Sequence, residues 1–345
     1  MGKRISLFGL GHVGQALLRS LHRARGGAHL VLAADGHGVY RGESLDPAAV
    51  LERRARRDYD APRRPGDEEP LLLEARPDLH VELTPTNLET GLPAVRDLEV
   101  ALALGVPVVT AAKSHQRSRE TLAGILERAQ GIPFLDHAAT LAGIPATEMV
   151  AGVGMRLTRI EGVLNGTTNY ILARLAEGVP FEAARDEAVA RGFAERDWRY
   201  DLEGDDVAVK LVGLTRHLCG RPVLARDDVR REGAPELGIE RGIVGATPEL
   251  VARLAAEGKV LKLLGRVDID GDSVRASVGP AVLDRRDSFA GIEGFTNAVR
   301  LEGTMNETRM ELFLRGPGAG ADETASRVLG NVNHLIEVLD WRESA

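Results

Sequence analysis

The chain has 345 residues, 43% of them hydrophobic and 28% charged, long enough for two domains with separate cores and too apolar for a disordered chain. Its formal net charge of -7 excludes the basic face that nucleic-acid phosphates require. No apolar run approaches the ~18 residues of a membrane span, and Met-Gly-Lys-Arg leads into a short strand rather than a signal-peptide core, so a cytoplasmic protein with no membrane partner is expected.

Arg4 to Phe8 has the pattern of a short strand, and Gly9-Leu-Gly11-His12-Val13-Gly14 then opens an amphipathic helix through Leu17, Leu18 and Leu21. Strand, glycines and helix in that order form a dinucleotide-binding fingerprint. Gly9 allows the tight turn, Gly11 lets a pyrophosphate approach the backbone, and Gly14 lets helix and strand pack closely. A second strand, His29 to Ala34, ends in Asp35, where a fingerprint acid hydrogen-bonds the adenosine ribose. Asp35 alone favours NAD, whereas His37 and Arg41 suit a 2′-phosphate, so the expected cofactor is NAD or NADP. Arg53, Arg54, Arg56, Arg57, Arg63 and Arg64 are expected on a solvated helix and loop.

A strand at Leu79 to Leu83 precedes the loop Thr84-Pro-Thr-Asn87, a helix through Val95 and Leu102, and a strand at Val106 to Thr110. Lys113 lies just past that strand's carboxyl end, where open parallel sheets place ligands; it is either a ligand contact or a solvated loop lysine. A helix from Glu120 to Ala129 and a strand from Ile132 to Leu135 complete a doubly wound α/β domain, residues 1–136. Asp136 to Pro145 then reads as a hinge.

Met149 to Met155 reads as a helix, and Thr158 to Leu164 as a strand entering Asn165-Gly-Thr167-Thr-Asn-Tyr-Ile-Leu172. Two Asn and two Thr exceed what one helix cap needs and suit a polar pocket. Helices to Ala176 and from Phe181 to Arg191 lead to a stretch, Arg191 to Lys210, in which six of twenty side chains are carboxylates. A helix starting near Gly204 puts Asp206 and Lys210 four apart on one face, with Val207, Val209, Leu211, Val212 and Leu214 on the buried side. Such a pair is either a proton-transfer site at the edge of an apolar core or an ordinary surface ion pair. The single cysteine, Cys219, is expected to pack rather than react, and no zinc pattern is present. Strands at Lys259–Val267, Val274–Val278, Ala298–Leu301 and Met310–Leu314 predict a mostly antiparallel sheet, hence an α+β domain over residues 137–320. Gly316 to Gly320 turns into a last helix, Glu323 to Leu339. Its apolar face, Val328, Leu329, Val332, Leu335 and Leu339, is expected to return residues 321–345 to the nucleotide domain.

Over nearly the whole chain these elements resemble the homoserine dehydrogenases. The resemblance rests on Gly9 to Gly14, Val81-Glu-Leu-Thr-Pro-Thr-Asn87 with Thr90-Gly91, Lys113, Gly143-Ile-Pro145, Leu164-Asn-Gly-Thr-Thr-Asn-Tyr-Ile-Leu172, the block from Glu195 to Lys210, and Gly316 to Gly320 with Thr324-Ala-Ser326. It implies the reversible NAD(P)-dependent interconversion of L-homoserine and L-aspartate 4-semialdehyde. It also implies a homodimer paired through the sheet of the second domain, in a short form without an aspartokinase or regulatory domain.

Carried onto matching positions, the resemblance makes Lys210 the acid/base lysine. Asp206 orients substrate or a bridging water, Lys113 handles developing alkoxide charge, and Glu195 receives the substrate ammonium, with Asn165, Thr167 and Asp201 beside the substrate. Cofactor contacts are implied at Gly9, Gly11, His12, Val13, Gly14, Asp35, Thr84, Lys113 and Gly320. The chain departs from the family pattern at Trp198, where proline is usual, at Ala112 and at Ser114-His115. His137 to Ala142 occupies the stretch that holds a monovalent cation in relatives, and no metal is expected here. Two other readings stand beside this one: a related oxidoreductase for another small amino or hydroxy acid, and an inactive nucleotide-binding paralogue.

Overall fold

In a computed structural model, which describes residues 2–194, 197–318 and 320–344, the chain divides into two units. One comprises Met1–Ala142 with Gly320–Ala345, the other Gly143–Ala319. The first runs β1 (Arg4–Phe8), α1 (His12–Ser20), β2 (His29–Ala34), β3 (Gly38–Leu45), α2 (Pro47–Ala55), β4 (Ala61–Pro62), α3 (Glu68–Ala75), β5 (Leu79–Glu82), α4 (Ala94–Ala103), β6 (Val108–Thr110), α5 (Arg119–Arg128), β7 (Phe134–Leu135) and α6 (His137–Thr140). Its strands form one sheet in the order β4-β3-β2-β1-β5-β6-β7.

From β2 to β7 every pairing is parallel, and β1, β2 and β5 are buried almost throughout, which is why they read as unbroken apolar runs. The strand order reverses about β1, so the carboxyl ends of β1 and β5 open onto a switch point of the kind where doubly wound sheets bind ligands. The antiparallel edge formed by β3 and β4 was not expected. Only the first three residues of β3 are buried and the rest is exposed or half-exposed, so Arg41-Gly-Glu-Ser carries no alternation to read.

The second unit contains α7 (Ala146–Val153), β8 (Arg156–Val163), α8 (Gly166–Ala176), α9 (Phe181–Ala190), α10 (Arg199–Leu202), α11 (Asp205–Cys219), β9 (Val229–Arg231), α12 (Pro248–Ala256), β10 (Lys259–Asp270), β11 (Ser273–Asp284), β12 (Thr296–Met305) and β13 (Thr308–Pro317). The sheet order is β13-β12-β8-β10-β11-β9, antiparallel except for the short β9–β11 pairing. Helix α11 lies against it, brought close by two glycines. A Cβ at Gly265 would fall 2.8 Å from Val207, and one at Gly204 2.6 Å from Val278. Cys219, at the end of α11, is half-buried, and burial raises its thiol pKa.

The two-residue turn of the β12–β13 hairpin places both Asn306 and Glu307 at positive φ, 48° and 67°. That is the geometry of a type I′ turn, where glycine is preferred at the second position. Glu307→Gly is therefore expected to stabilise the unit by about 0.5–1 kcal/mol, readable as a higher denaturant midpoint.

The chain closes with α13 (Ala321–Ser344), which belongs to the first unit. Ala325, Val328, Leu329, Val332, Leu335 and Ile336 bury its inner face in the core formed with β1 and α1, and Leu339 is partly buried at its edge. The first unit runs on through Ala142 rather than stopping at Asp136, because α6 packs on β6 and α13.

Candidate active site

In the second unit the polar cluster begins where β8 ends. Asn165 caps α8, its Oδ1 accepting the Thr168 N–H at 2.9 Å. Its amide Nδ2 donates to Asp201 Oδ1 at 2.7 Å and to Asp206 Oδ2 at 3.0 Å. Asn165 therefore does more than cap, as the surplus of polar residues in this stretch suggested. Thr167 Oγ1 donates to the Phe193 carbonyl at 2.7 Å and lies 3.5 Å from Asp201 Oδ2.

One helical turn along α11, Lys210 Nζ sits 2.8 Å from Asp206 Oδ2 and donates to the Leu164 carbonyl at 2.6 Å. The two side chains are only 8% and 7% exposed, so this is no surface ion pair. A buried ammonium fixed by a carboxylate and a carbonyl can hand a proton to a group placed against it, and the neutral amine that remains can take one back. Asn297 adds a donor that the sequence did not reveal: from β12 its Nδ2 reaches the same Leu164 carbonyl at 2.9 Å. Nothing in the pattern of β12 separates this asparagine from its neighbours. Glu195 lies outside the described residues. Trp198 adopts φ -62°, within proline's range, and its ring carries the guanidinium groups of Arg199 at 4.7 Å and Arg185 at 5.2 Å. These contacts anchor the turn before α10.

In the first unit the glycine turn is built as the spacing implied. Gly9 has φ +97°, and a Cβ there would lie 2.2 Å from the Leu83 carbonyl carbon; one on Gly14 would lie 2.0 Å from the Gly9 oxygen. Gly11 differs, with φ -71° and nothing within 4 Å of its missing side chain. No side chain caps α1, which leaves the amides from His12 and Val13 onward for an anion. The turn therefore fits a dinucleotide pyrophosphate. Gly14→Ala is expected to disrupt the fold of this unit. Gly11→Ala is expected to keep the melting temperature and lower nucleotide affinity at least about tenfold, since its methyl group would stand where the phosphate must approach. Thermal melts and nucleotide titration of the two variants check this contrast.

Asp35 is more heavily engaged than expected. Its Oδ1 accepts from the His37 and Gly38 amides at 2.8 and 3.2 Å, and its Oδ2 from Arg54 Nε and the Tyr59 hydroxyl, both at 3.1 Å. These donors fill the four lone-pair sites of a carboxylate, so a ribose hydroxyl must displace one of them. Arg41 instead pairs with Glu74 at 2.8 Å.

Past β6, the Lys113 amide donates to Thr86 Oγ1 at 3.1 Å, and the Asn87 amide to Ser114 Oγ at 2.9 Å. The loops after β5 and β6 are thereby tied together. His115 Nε2 meets Asp136 Oδ2 at 2.7 Å, both fully buried, so the unusual residues after Lys113 anchor its loop on the end of β7. Gly320, at φ +137°, immediately precedes α13.

Beneath the β5 loop lies a cluster of charges that sequence reasoning missed. Glu82 Oε1 accepts from both the amide, at 2.7 Å, and the hydroxyl of Thr84. Arg63, expected in solvent, is 7% exposed; it pairs with Asp97 at 2.8 Å and lies 3.9 Å from Glu68 and 4.2 Å above the Phe8 ring. His80 shares a hydrogen bond of 2.9 Å between Nδ1 and the Ser6 hydroxyl and stands 3.5 Å from Glu82 through Nε2. Burial holds His80 down at about 4 and raises Glu82 to about 7. Asp97 rises to about 8, first by burial and then by the Glu82 charge.

The sequence model of the homoserine dehydrogenase family matches residues 147–332, more than half of the chain. The chain belongs to the homoserine dehydrogenase family. A homoserine dehydrogenase of Sulfurisphaera tokodaii is 27% identical over 95% of this chain and 97% of its own length. An NAD(+)-dependent homoserine dehydrogenase of Pseudomonas canavaninivorans is 30% identical over 77% of this chain and 73% of its own. A hyperthermophilic archaeal homoserine dehydrogenase mutant, solved in complex with NADPH, superposes with a TM-score of 0.74 at 25% identity, covering 96% of this chain and 97% of that one. The stretch matched by the homoserine dehydrogenase model contains every residue of the Asn165, Asp201, Asp206, Lys210 and Asn297 cluster.

Proposed function

We propose that this member of the homoserine dehydrogenase family interconverts L-homoserine and L-aspartate 4-semialdehyde with NAD or NADP. The observation that carries the reading is the buried Lys210–Asp206 pair held by Asn165 and the Leu164 carbonyl. When bound, the nicotinamide accepts or returns a hydride at the carbon bearing the hydroxyl. As the neutral amine Lys210 takes the hydroxyl proton as the carbonyl forms, and as the resulting ammonium it gives the proton back in the reverse direction, while Asp206 keeps the side chain oriented. Lys113 is assigned to stabilising alkoxide charge and Glu195 to receiving the substrate ammonium. Asn165, Thr167 and Asp201 line the substrate's polar surroundings. Gly9, Gly11, His12, Val13 and Gly14 would take the pyrophosphate, with Asp35, Thr84 and Gly320 as further nucleotide contacts. We assign no metal, and we expect a cytoplasmic homodimer paired through the second unit's sheet.

The full chain is assayed for nicotinamide reduction with L-homoserine, using NAD and NADP in parallel. Turnover with either supports the reading and sets the cofactor preference. Bound nucleotide without turnover on L-homoserine would reject it, and turnover on another hydroxy amino acid would name the substrate instead.

A further inference from the structure

Within the first unit, Glu82 Oε2 and Asp97 Oδ2 are both buried and neither makes a hydrogen bond to a donor, His80 Nε2 standing 3.5 Å from Glu82 Oε2. The two carboxyl side chains lie in hydrogen-bonding relation to each other. Two carboxylates cannot face one another in a dry interior without a proton between them. The other charged or titratable groups around them are Arg63, held by Asp97, Glu68 on α3, and His80 on β5. His80 is neutral near pH 7 because its pKa lies near 4. One guanidinium thus faces three carboxyl groups, and a retained proton relieves the imbalance.

The pair also bears on the nucleotide turn. Glu82's other oxygen holds the amide and hydroxyl of Thr84, and the Thr84 nitrogen lies 2.4 Å from where a Cβ of Gly9 would stand. Thr84 is therefore packed directly on the glycine turn. We infer that Glu82 and Asp97 act as one protonated acid pair that positions Thr84 against the Gly9 turn, and that nucleotide binding requires this shared proton. The inference rests on the dinucleotide reading for its ligand, but not for the state of the pair.

Loss of the proton leaves two facing carboxylates, and a rotation of Glu82 away from Asp97 would release Thr84. The direction follows from the raised pKa values: the pair is intact below about pH 8 and is lost above it. Asn at position 97 donates to Glu82 permanently while its oxygen keeps Arg63, and Gln at position 82 donates to Asp97 while its oxygen keeps Thr84.

The test titrates the full chain with NADH and NADPH from pH 6 to 9.5, and follows hydrogen exchange of residues 79–90 in the nucleotide-free chain over the same range. In the wild type, affinity is expected to fall about tenfold per pH unit above pH 8. Exchange at 79–90 should accelerate beyond the intrinsic base-catalysed rate. In Asp97→Asn, or in Glu82→Gln if the first variant folds poorly, affinity should be level with pH and exchange should rise only as the intrinsic rate does. A level wild-type curve, or a fall shared equally by the variants, would overturn the inference. If neither nucleotide binds at any pH, the dinucleotide reading fails, and the required role in binding with it. The exchange profiles then decide separately whether the protonated pair holds Thr84.

Discussion

Lys210→Met is expected to lower kcat by about a hundredfold to ten-thousandfold, the range that a positioned acid/base contributes, while nucleotide still binds to the first unit. The same change should also destabilise the second unit, because it leaves Asp206 ionised at 7% exposure without its ammonium partner. Removing one partner of a buried ion pair costs about 3–5 kcal/mol. Lost activity in this variant alone would therefore not separate chemistry from unfolding.

The double variant Asp206→Leu/Lys210→Met makes the separation. Replacing both charges with apolar side chains of similar volume removes the unpaired charge, and such replacements are commonly neutral or stabilising. The double variant should regain most of the denaturant midpoint lost in the single one and recover no turnover. Recovery of turnover along with stability would show that the pair serves the fold alone, and would remove Lys210 from the mechanism.

The sequence made the pair legible because both its determinants are local: a helix start at Gly204 and a spacing of four. The same holds for the glycine turn, where strand, Gly9, Gly14 and helix lie within seventeen residues, and Cβ clashes of about 2 Å now account for two of the three glycines. What stayed hidden depends on contacts distant in the chain. Asn297 joins the Leu164 carbonyl across 133 residues, and Arg63 reaches Asp97 across 34. A run of arginines looks the same whether its last members are wet or buried, since periodicity reports a segment's own face and not the partner that arrives from elsewhere.

Helix α12 is a different omission. Thr247 caps it by accepting the Leu250 amide, and Pro248 stands at its first position, so a start signal was present in Thr-Pro-Glu-Leu and went unread. Asp35 illustrates a further limit. Its place at the end of β2 was readable, but the Arg54 and Tyr59 donors that occupy it come from residues whose fold depended on the unforeseen edge strands.

Arg63→Leu is expected to produce the largest loss of stability in the first unit. The guanidinium is the cation facing Asp97, Glu82 and Glu68 in a region where Asp97 and Glu82 are wholly buried, and its removal costs about 3–5 kcal/mol near pH 8. The pH dependence gives the cause away. Arg63 lowers the pKa of both Glu82 and Asp97, so without it both acids move further up from already raised values. An acid whose folded pKa exceeds its unfolded value gives stability that is present below the unfolded pKa, near 4, and is lost as pH rises through the folded one. The deficit of Arg63→Leu should therefore be small near pH 4–5 and grow through pH 8, measured as the difference in denaturant midpoint from the wild type at each pH. A deficit constant across that range would mean that Arg63 stabilises the unit through its stacking on Phe8 and its packing, with the acid cluster indifferent to its charge. Arg63→Lys separates these contributions from the other side: it restores the charge but not the planar stack, so it should flatten the pH dependence while leaving part of the deficit in place.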